Sequence, residues 1–277
     1  MLTNFFYNLL IFFTWMIPGH YVWVAIVIIT VILRLIFLRP TLKMTEMQKK
    51  QTALQGKLKE IKERHKGDKQ AEQKATMELY KEAGVNPLSS CLPMVVQIVV
   101  LIGFYGVFRK YGFGSIRTDI LYSFTPHPTT LNNFFAGYDL TQTVQQLTKL
   151  GGVSGYLAFL FPAVAGGTQL IQSLQMRATQ PKPDPNAKSG AFQQALSSQM
   201  TFLFPLLTIW ISYTLSSALS IYWITQTVFM VVQQWAVMKY YQPKITQAEV
   251  KRLEAAADTP DIKKHKGGVE TEVRRKQ

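Results

Sequence analysis

Residues 21–38, YVWVAIVIITVILRLIFL, form an apolar run of eighteen residues that holds one formal charge, Arg34, and ends at Arg39-Pro40. At about 1.5 Å per residue the run reaches about 27 Å, enough to cross a hydrocarbon core of roughly 30 Å. A guanidinium cannot shed its proton, so at that depth it needs water, a partner or a headgroup. Arg34 precedes Arg39 by five residues, about 7.5 Å of helix rise, and one reading is a side chain that only snorkels to the phosphates. The other is that the rest of the chain builds a polar place for it.

Charge and apolar residues are segregated along the 277-residue chain. It is 48% hydrophobic with a net charge of +14, and its long apolar runs alternate with basic polar segments. That alternation marks an all-α polytopic membrane protein. No Lys or Arg precedes residue 34, so no basic n-region of a secretory signal is expected. Cys91 is the single cysteine, which excludes an intrachain disulfide, and no metal cluster or cofactor is expected.

The runs divide the chain as follows. Residues 1–20 contain a short stretch, 5–17, in which six of thirteen residues are aromatic, and Pro18-Gly19 ends it. This reads as an interfacial helix on the outer side, with a sixth span as the competing reading. The first span is 21–38. Residues 39–91 read as a cytoplasmic helical hairpin. Met44, Met47, Gln51, Leu54, Leu58, Ile61 and His65 form the seam of its first helix, and Ala71, Ala75 and Leu79 line the second, which Gly84 closes. The second span is 92–108, an extracytoplasmic loop follows over 109–154, and the third span is 155–176. A polar linker with Pro181, Pro183 and Pro185 occupies 177–199. The apolar run from 200 to 238 has thirty-nine residues. As one helix it would be about 58 Å long, so it must turn back near Leu215-Ser216-Ser217. It therefore yields a fourth span at 200–215 and a fifth at 218–238, with a basic, cytoplasmic tail over 239–277.

Lys and Arg set the orientation. Residues 39–91, 176–198 and 239–277 hold twelve, three and ten, against four in 109–155 and none in the first twenty. The positive-inside rule puts the amino terminus outside the plasma membrane and the carboxyl terminus in the cytoplasm.

Gln97, Thr168, Gln169, Gln172, Thr208, Ser212, Gln226, Gln233 and Gln234 lie within the apolar runs, and no Asp or Glu does. A single amide in a span is ordinarily helix–helix glue worth about 0.6 kcal/mol. With an unpaired Arg34 among them, the set predicts a wet cavity that receives an anionic or polar visitor. Gly152-Val153-Ser154-Gly155 matches a weak serine-protease pattern, but all four histidines lie outside the spans and no base is available. No phosphate-cradling loop is present either. The chain reads as not an enzyme.

GVNPLSSCLPMVVQIVVLIGFY (residues 84–105) closely resembles the segment that joins the cytoplasmic hairpin to the second core helix in the YidC family of membrane-protein insertases. The lone arginine in the first span, the basic hairpin and IYWITQTVFMVVQQW (residues 221–235) agree in order and spacing. Two departures stand out: Ser216-Ser217-Ala218 where the family usually has Pro-Ser-Gly, and Val99 where a proline often follows the glutamine. The resemblance implies a five-span core with a groove open to cytoplasm and lipid, in which Arg34 takes the place of the family's groove arginine. Gln97, Gln169, Gln172, Trp223 and Gln226 are the candidate walls. It implies a non-enzymatic insertase and chaperone. The expected partners are nascent membrane-protein clients, the lipid bilayer, a ribosome at the basic tail and a Sec-type translocon, and not DNA. The alternative reading is a carrier or channel for small anions, and a third is a structural factor that glues other spans together.

Overall fold

The computed structural model describes residues 1–86, 92–112, 115–179 and 188–240. Eleven α-helices, one 3₁₀ turn (Thr118–Ile120) and one short hairpin make up its regular structure among these residues: α1 Leu2–Met16, α2 Val22–Ile36, α3 Leu38–Ala53, α4 Gln55–Arg64, α5 Lys69–Glu82, α6 Leu92–Lys110, β1 Phe134–Phe135, β2 Tyr138–Asp139, α7 Val144–Thr148, α8 Gly152–Leu157, α9 Leu160–Thr179, α10 Lys188–Thr214 and α11 Ser217–Tyr240. The described residues cluster into two units, one formed by residues 1–52 with those from 92 to 240, and the other by 53–86.

In the first unit α1, α2, α6 and α11 share one core. Phe6, Tyr7, Leu10 and Ile11 of α1 recur at helical spacing and are buried with Val22, Ala25, Ile26 and Ile29 of α2, Phe104 and Val107 of α6, and Leu219 and Tyr222 of α11. The amino-terminal half of α1 packs against the carboxyl half of α6. A Cβ on Gly103 would run into the Phe6 ring, and one on Gly106 would come within 2.5 Å of the Thr3 hydroxyl. These two glycines let the helices approach closely. α9 packs on both α10 and α11, and at Gly166 a Cβ would strike the Ile209 side chain of α10.

One end of this unit is tied by loop contacts. Asn8 donates from Nδ2 to the Ile120 carbonyl at 3.1 Å, and its Oδ1 accepts from the Tyr122 amide at 2.7 Å and from the Thr125 hydroxyl at 3.0 Å. The Tyr7 hydroxyl accepts the Arg117 amide at 2.8 Å. Between β1 and β2, Ala136 and Gly137 take φ of 50° and 85°, the pair of left-handed residues that a tight hairpin turn requires. The turn between α10 and α11 is held by residues 140–142. Ser216 Oγ donates to the Leu140 carbonyl at 2.6 Å and Ser217 Oγ to the Gln142 carbonyl at 2.8 Å.

Several boundaries differ from the apolar runs. α2 stops at Ile36, and α3 leaves it at 49°. Pro40 sits in the first turn of α3, where its missing N–H is no loss. The seam expected to run through one helix from Met44 to His65 is broken at Leu54, between α3 and α4. The third apolar run is divided, with α8 ending at Leu157 and α9 starting at Leu160 just before Pro162. α10 begins at Lys188, twelve residues before the apolar run does. Apolarity marks membrane depth rather than helix ends, and the polar residues of 188–199 continue the same helix. By length and mean hydropathy, Gly152–Ala178 is long and apolar enough to cross a membrane, and α2 with α3 passes as a bent pair.

The second unit is built from α4 and α5. Asp68 caps α5, accepting the amides of Gln70 and Ala71 at 3.1 and 3.0 Å. At its far end the Val85 amide donates to the Tyr80 carbonyl and the Gly84 amide to the Lys81 carbonyl, with Gly84 at φ 63°. That is a Schellman cap, and only a residue that tolerates a left-handed backbone fits it without strain. Leu54, Leu79 and Val85 form the buried cluster, with Leu58, Ile61, Tyr80 and Ala83 packed around it.

Cys91, the prolines of 181–185 and residues 241–277 of the basic tail lie outside the described residues.

Candidate functional site

On α2, Thr30 and Arg34 are four residues apart and so share a face. Thr30 turns its hydroxyl onto the Ile26 carbonyl at 2.6 Å, closing its own hydrogen bond within the helix. Arg34, half-buried, donates from Nη2 to Gln97 Oε1 of α6 at 2.6 Å. Gln97 passes the interaction on, donating from Nε2 to the Tyr222 hydroxyl of α11 at 3.2 Å. Thr30, Arg34, Gln97, Tyr222 and Gln226 line one pocket, which Leu33, Phe37 and Val100 complete with apolar walls. It is a narrow cleft with room for about one water.

The electrostatics follow from what is missing. Among the described residues no carboxylate lies within 4.0 Å of Arg34, and its remaining N–H groups have no described partner. An amide partner orients the guanidinium without cancelling its charge. The site is therefore a fixed cation in a pocket whose polar lining comes from amides and hydroxyls.

The other residues singled out in the sequence fall on a different seam, between α9 and α11. Trp223 Nε1 donates to Gln169 Oε1 at 3.2 Å. Gln172, buried, donates from Nε2 to Met230 Sδ at 3.2 Å, and the Thr168 and Thr227 hydroxyls meet at 2.7 Å. Helical geometry explains the division. Tyr222 and Gln226 are one turn apart on one face of α11, while Trp223 and Thr227 are offset by about 100° and face α9. Arg34, Gln97 and Gln226 are thus brought to one pocket, and Gln169, Gln172 and Trp223 to its neighbour. Of the remaining polar residues of the apolar runs, Thr208 and Ser212 are buried on α10, where Ser212 bonds Ser220 across the turn at 2.7 Å.

Sequence reasoning passed over Tyr222 and Thr30. Both stand at i,i+4 spacing from a named candidate, Gln226 and Arg34 respectively, and that spacing is the signal that would have found them.

Comparison with known proteins gives the family of the chain. The family model for the 60Kd inner membrane protein matches residues 12–244. The chain belongs to this family, the YidC family. It is accordingly a polytopic membrane protein of mostly helical structure. A Membrane protein insertase YidC of Fusobacterium nucleatum is 29% identical over 216 residues, covering 78% of this chain and 85% of the relative. YidC 1 of Listeria monocytogenes is 28% identical over 240 residues, 85% of this chain and 70% of its own. The YidC of Citrifermentans bemidjiense is 32% identical over 227 residues, which are 82% of this chain but 35% of that protein. Among the described residues no group of three His, Cys, Asp or Glu is placed to hold a metal.

Proposed function

We propose that the protein is a membrane-protein insertase that passes the hydrophilic end of a client across the membrane while the client's apolar helix partitions into lipid. The observation that carries this reading is Arg34, a half-buried guanidinium with an amide partner and no described carboxylate, in a pocket walled by α2, α6 and α11. A polar side chain moved into hydrocarbon costs several kcal/mol, and water with amide groups part-way across lowers that cost. Acidic residues of a client tail are attracted to Arg34 and released again, because no rigid acid–base lattice holds them. No bond is made or broken, so the action is non-enzymatic.

In this reading five spans, 21–38, 92–108, 155–176, 200–215 and 218–238, form the core, with the amino terminus outside the cell and the carboxyl terminus in the cytoplasm. Residues 1–20 lie in the outer interface. The groove takes in Arg34, Gln97 and Gln226 together with Gln169, Gln172 and Trp223 of the adjoining seam. The hairpin of residues 39–91 receives the client. The basic tail binds the polyanionic surface of a ribosome, and a Sec-type translocon is a second partner.

Site-specific photocrosslinking tests the proposal. A photoreactive residue at position 34 is expected to capture nascent membrane-protein chains at the stage when their hydrophilic tail is crossing. Capture that is independent of the nascent chain's length would overturn it.

A further inference from the structure

A second pocket lies at the carboxyl end of α6, away from Arg34. Tyr105, Phe108 and Arg109 of α6 line it, together with Thr143, Leu215 and Leu219, and it is an open cleft of about 270 Å³. Its scaffold is fixed, because the hydrogen bonds that hold residues 140–142 to the α10–α11 turn also set Thr143 beside Ser216.

The pocket is rich in unused donors and has no acidic wall. The Arg109 guanidinium lies 5.9 Å from the Tyr105 ring centroid and donates from Nη1 to the Tyr105 hydroxyl at 3.3 Å. Its other N–H groups have no described partner, and no described carboxylate lies within 4.0 Å of it. The Tyr105 hydroxyl accepts that bond and keeps its own hydrogen. Thr143 Oγ1 likewise accepts the Gln146 amide at 3.1 Å and donates to no described acceptor. Three donor groups, one of them cationic, therefore border a space that Phe108, Leu215 and Leu219 close with apolar surface. α6 is apolar from Ile98 to Phe108 and turns basic at Arg109, which sets the pocket at an apolar–polar boundary.

We propose that this pocket binds the phosphodiester of an anionic membrane lipid, with the headgroup on Arg109, Tyr105 and Thr143 and the start of an acyl chain on Phe108, Leu215 and Leu219. A guanidinium and hydroxyls match phosphate oxygens well. With no carboxylate in the lining, an ammonium headgroup finds no partner and meets a like charge, so phosphatidylglycerol is preferred over phosphatidylethanolamine.

Native mass spectrometry of the full chain in detergent, supplied with equal phosphatidylglycerol and phosphatidylethanolamine, tests this. The wild type is expected to retain one phosphatidylglycerol, and Arg109→Gln to retain it about tenfold less, the loss of a charge-assisted bond. Tyr105→Phe should weaken retention about threefold. Arg109→Lys should recover most of the loss, which a misfolded variant would not. Lys110→Gln, at the neighbouring residue outside the pocket lining, should bind as the wild type does. Equal retention by wild type and Arg109→Gln overturns the proposal, as does equal retention of both lipids or an equal loss in Lys110→Gln. Displacement of the lipid by millimolar inorganic phosphate would assign the pocket to a free anion and overturn the lipid reading. These outcomes do not depend on insertase activity.

Discussion

Arg34 Nη2 sits 2.6 Å from Gln97 Oε1, so the one cation of α2 is held by a neutral amide of α6. A carboxylate in that position would have neutralised the charge and occupied the site, whereas an amide holds the guanidinium in place and leaves its field intact. Because the attraction is Coulombic and partly desolvated, Arg34→Lys is expected to keep most of the activity, while Arg34→Ala impairs clients with acidic tails. Rescue of a depleted strain by the two variants measures this. Equal rescue by Arg34→Ala would reduce Arg34 to a snorkelling side chain.

Tyr222 is the second support of the same arrangement. Fully buried, its hydroxyl is the acceptor that fixes the Gln97 amide. Tyr222→Phe removes one hydrogen bond and no packing, and is expected to cost about 0.6–1.5 kcal/mol. A double-mutant cycle with Gln97→Ala should recover that amount as coupling. A coupling near zero would mean that the two side chains do not act together.

The α4–α5 unit has a small core, Leu54, Leu79 and Val85, and little buried area means low local stability. Amide exchange in α4 and α5 is expected to run at least about tenfold faster than in α9 and α11. Leu79→Ala should accelerate it further, by about 2–3 kcal/mol of local opening. Protection equal to that of the long helices would rule out an independently moving hairpin.

What could be read from the sequence depended on the kind of signal. Gly84 was legible as a helix stop because a Schellman cap needs a left-handed residue at one position, and the turn at Leu215-Ser216-Ser217 because thirty-nine apolar residues are too long for one crossing. The early start of α10 at Lys188 and the bend after Ile36 were not legible, since neither changes the hydropathy. At the site, Arg34 declared itself as a lone charge. The separation of Gln226 from Trp223 did not, because it depends on which neighbour each face of α11 meets, and that is a tertiary fact.

At the loop end, Arg117 and Asp119 form a bidentate pair at 2.9 and 2.8 Å, and the Arg117 amide is bonded to Tyr7. The side-chain hydrogen bonds from Arg117 hold the Asp119 carboxyl below its ordinary value. A depressed carboxyl stabilises the fold above its unfolded pKa, and that contribution fades as pH falls through the folded one. Both groups are exposed, so the effect is small and local. Exchange of the Arg117 amide should quicken, relative to intrinsic rates, as pH drops below the usual carboxylate range, and Asp119→Asn should abolish that dependence. Identical pH profiles for the two proteins would show that the pair does not order the loop.

The groove is tested most directly by its water. Arg34 works only if hydrated, and in the proposed topology water reaches it from the cytoplasm and not from outside. Gln97 and Gln226 share its pocket, while Gln172 and Trp223 belong to the seam beside it, where Met230 and Gln169 already partner them. Each is replaced singly by Cys in a Cys91→Ser background and exposed to a membrane-impermeant thiol reagent. Labelling proceeds through the thiolate, which forms only where water is present to stabilise it. Cytoplasmic reagent should therefore modify positions 97 and 226 readily and positions 172 and 223 more slowly, and outer reagent should modify none of them quickly. Labelling at 97 and 226 with none at 172 and 223 would confine the water to the α2–α6–α11 pocket and remove the α9–α11 seam from the groove. If all four sites stay unmodified from the cytoplasm, the helices are packed dry around Arg34, a client tail gains nothing by entering there, and the insertase mechanism proposed here is wrong.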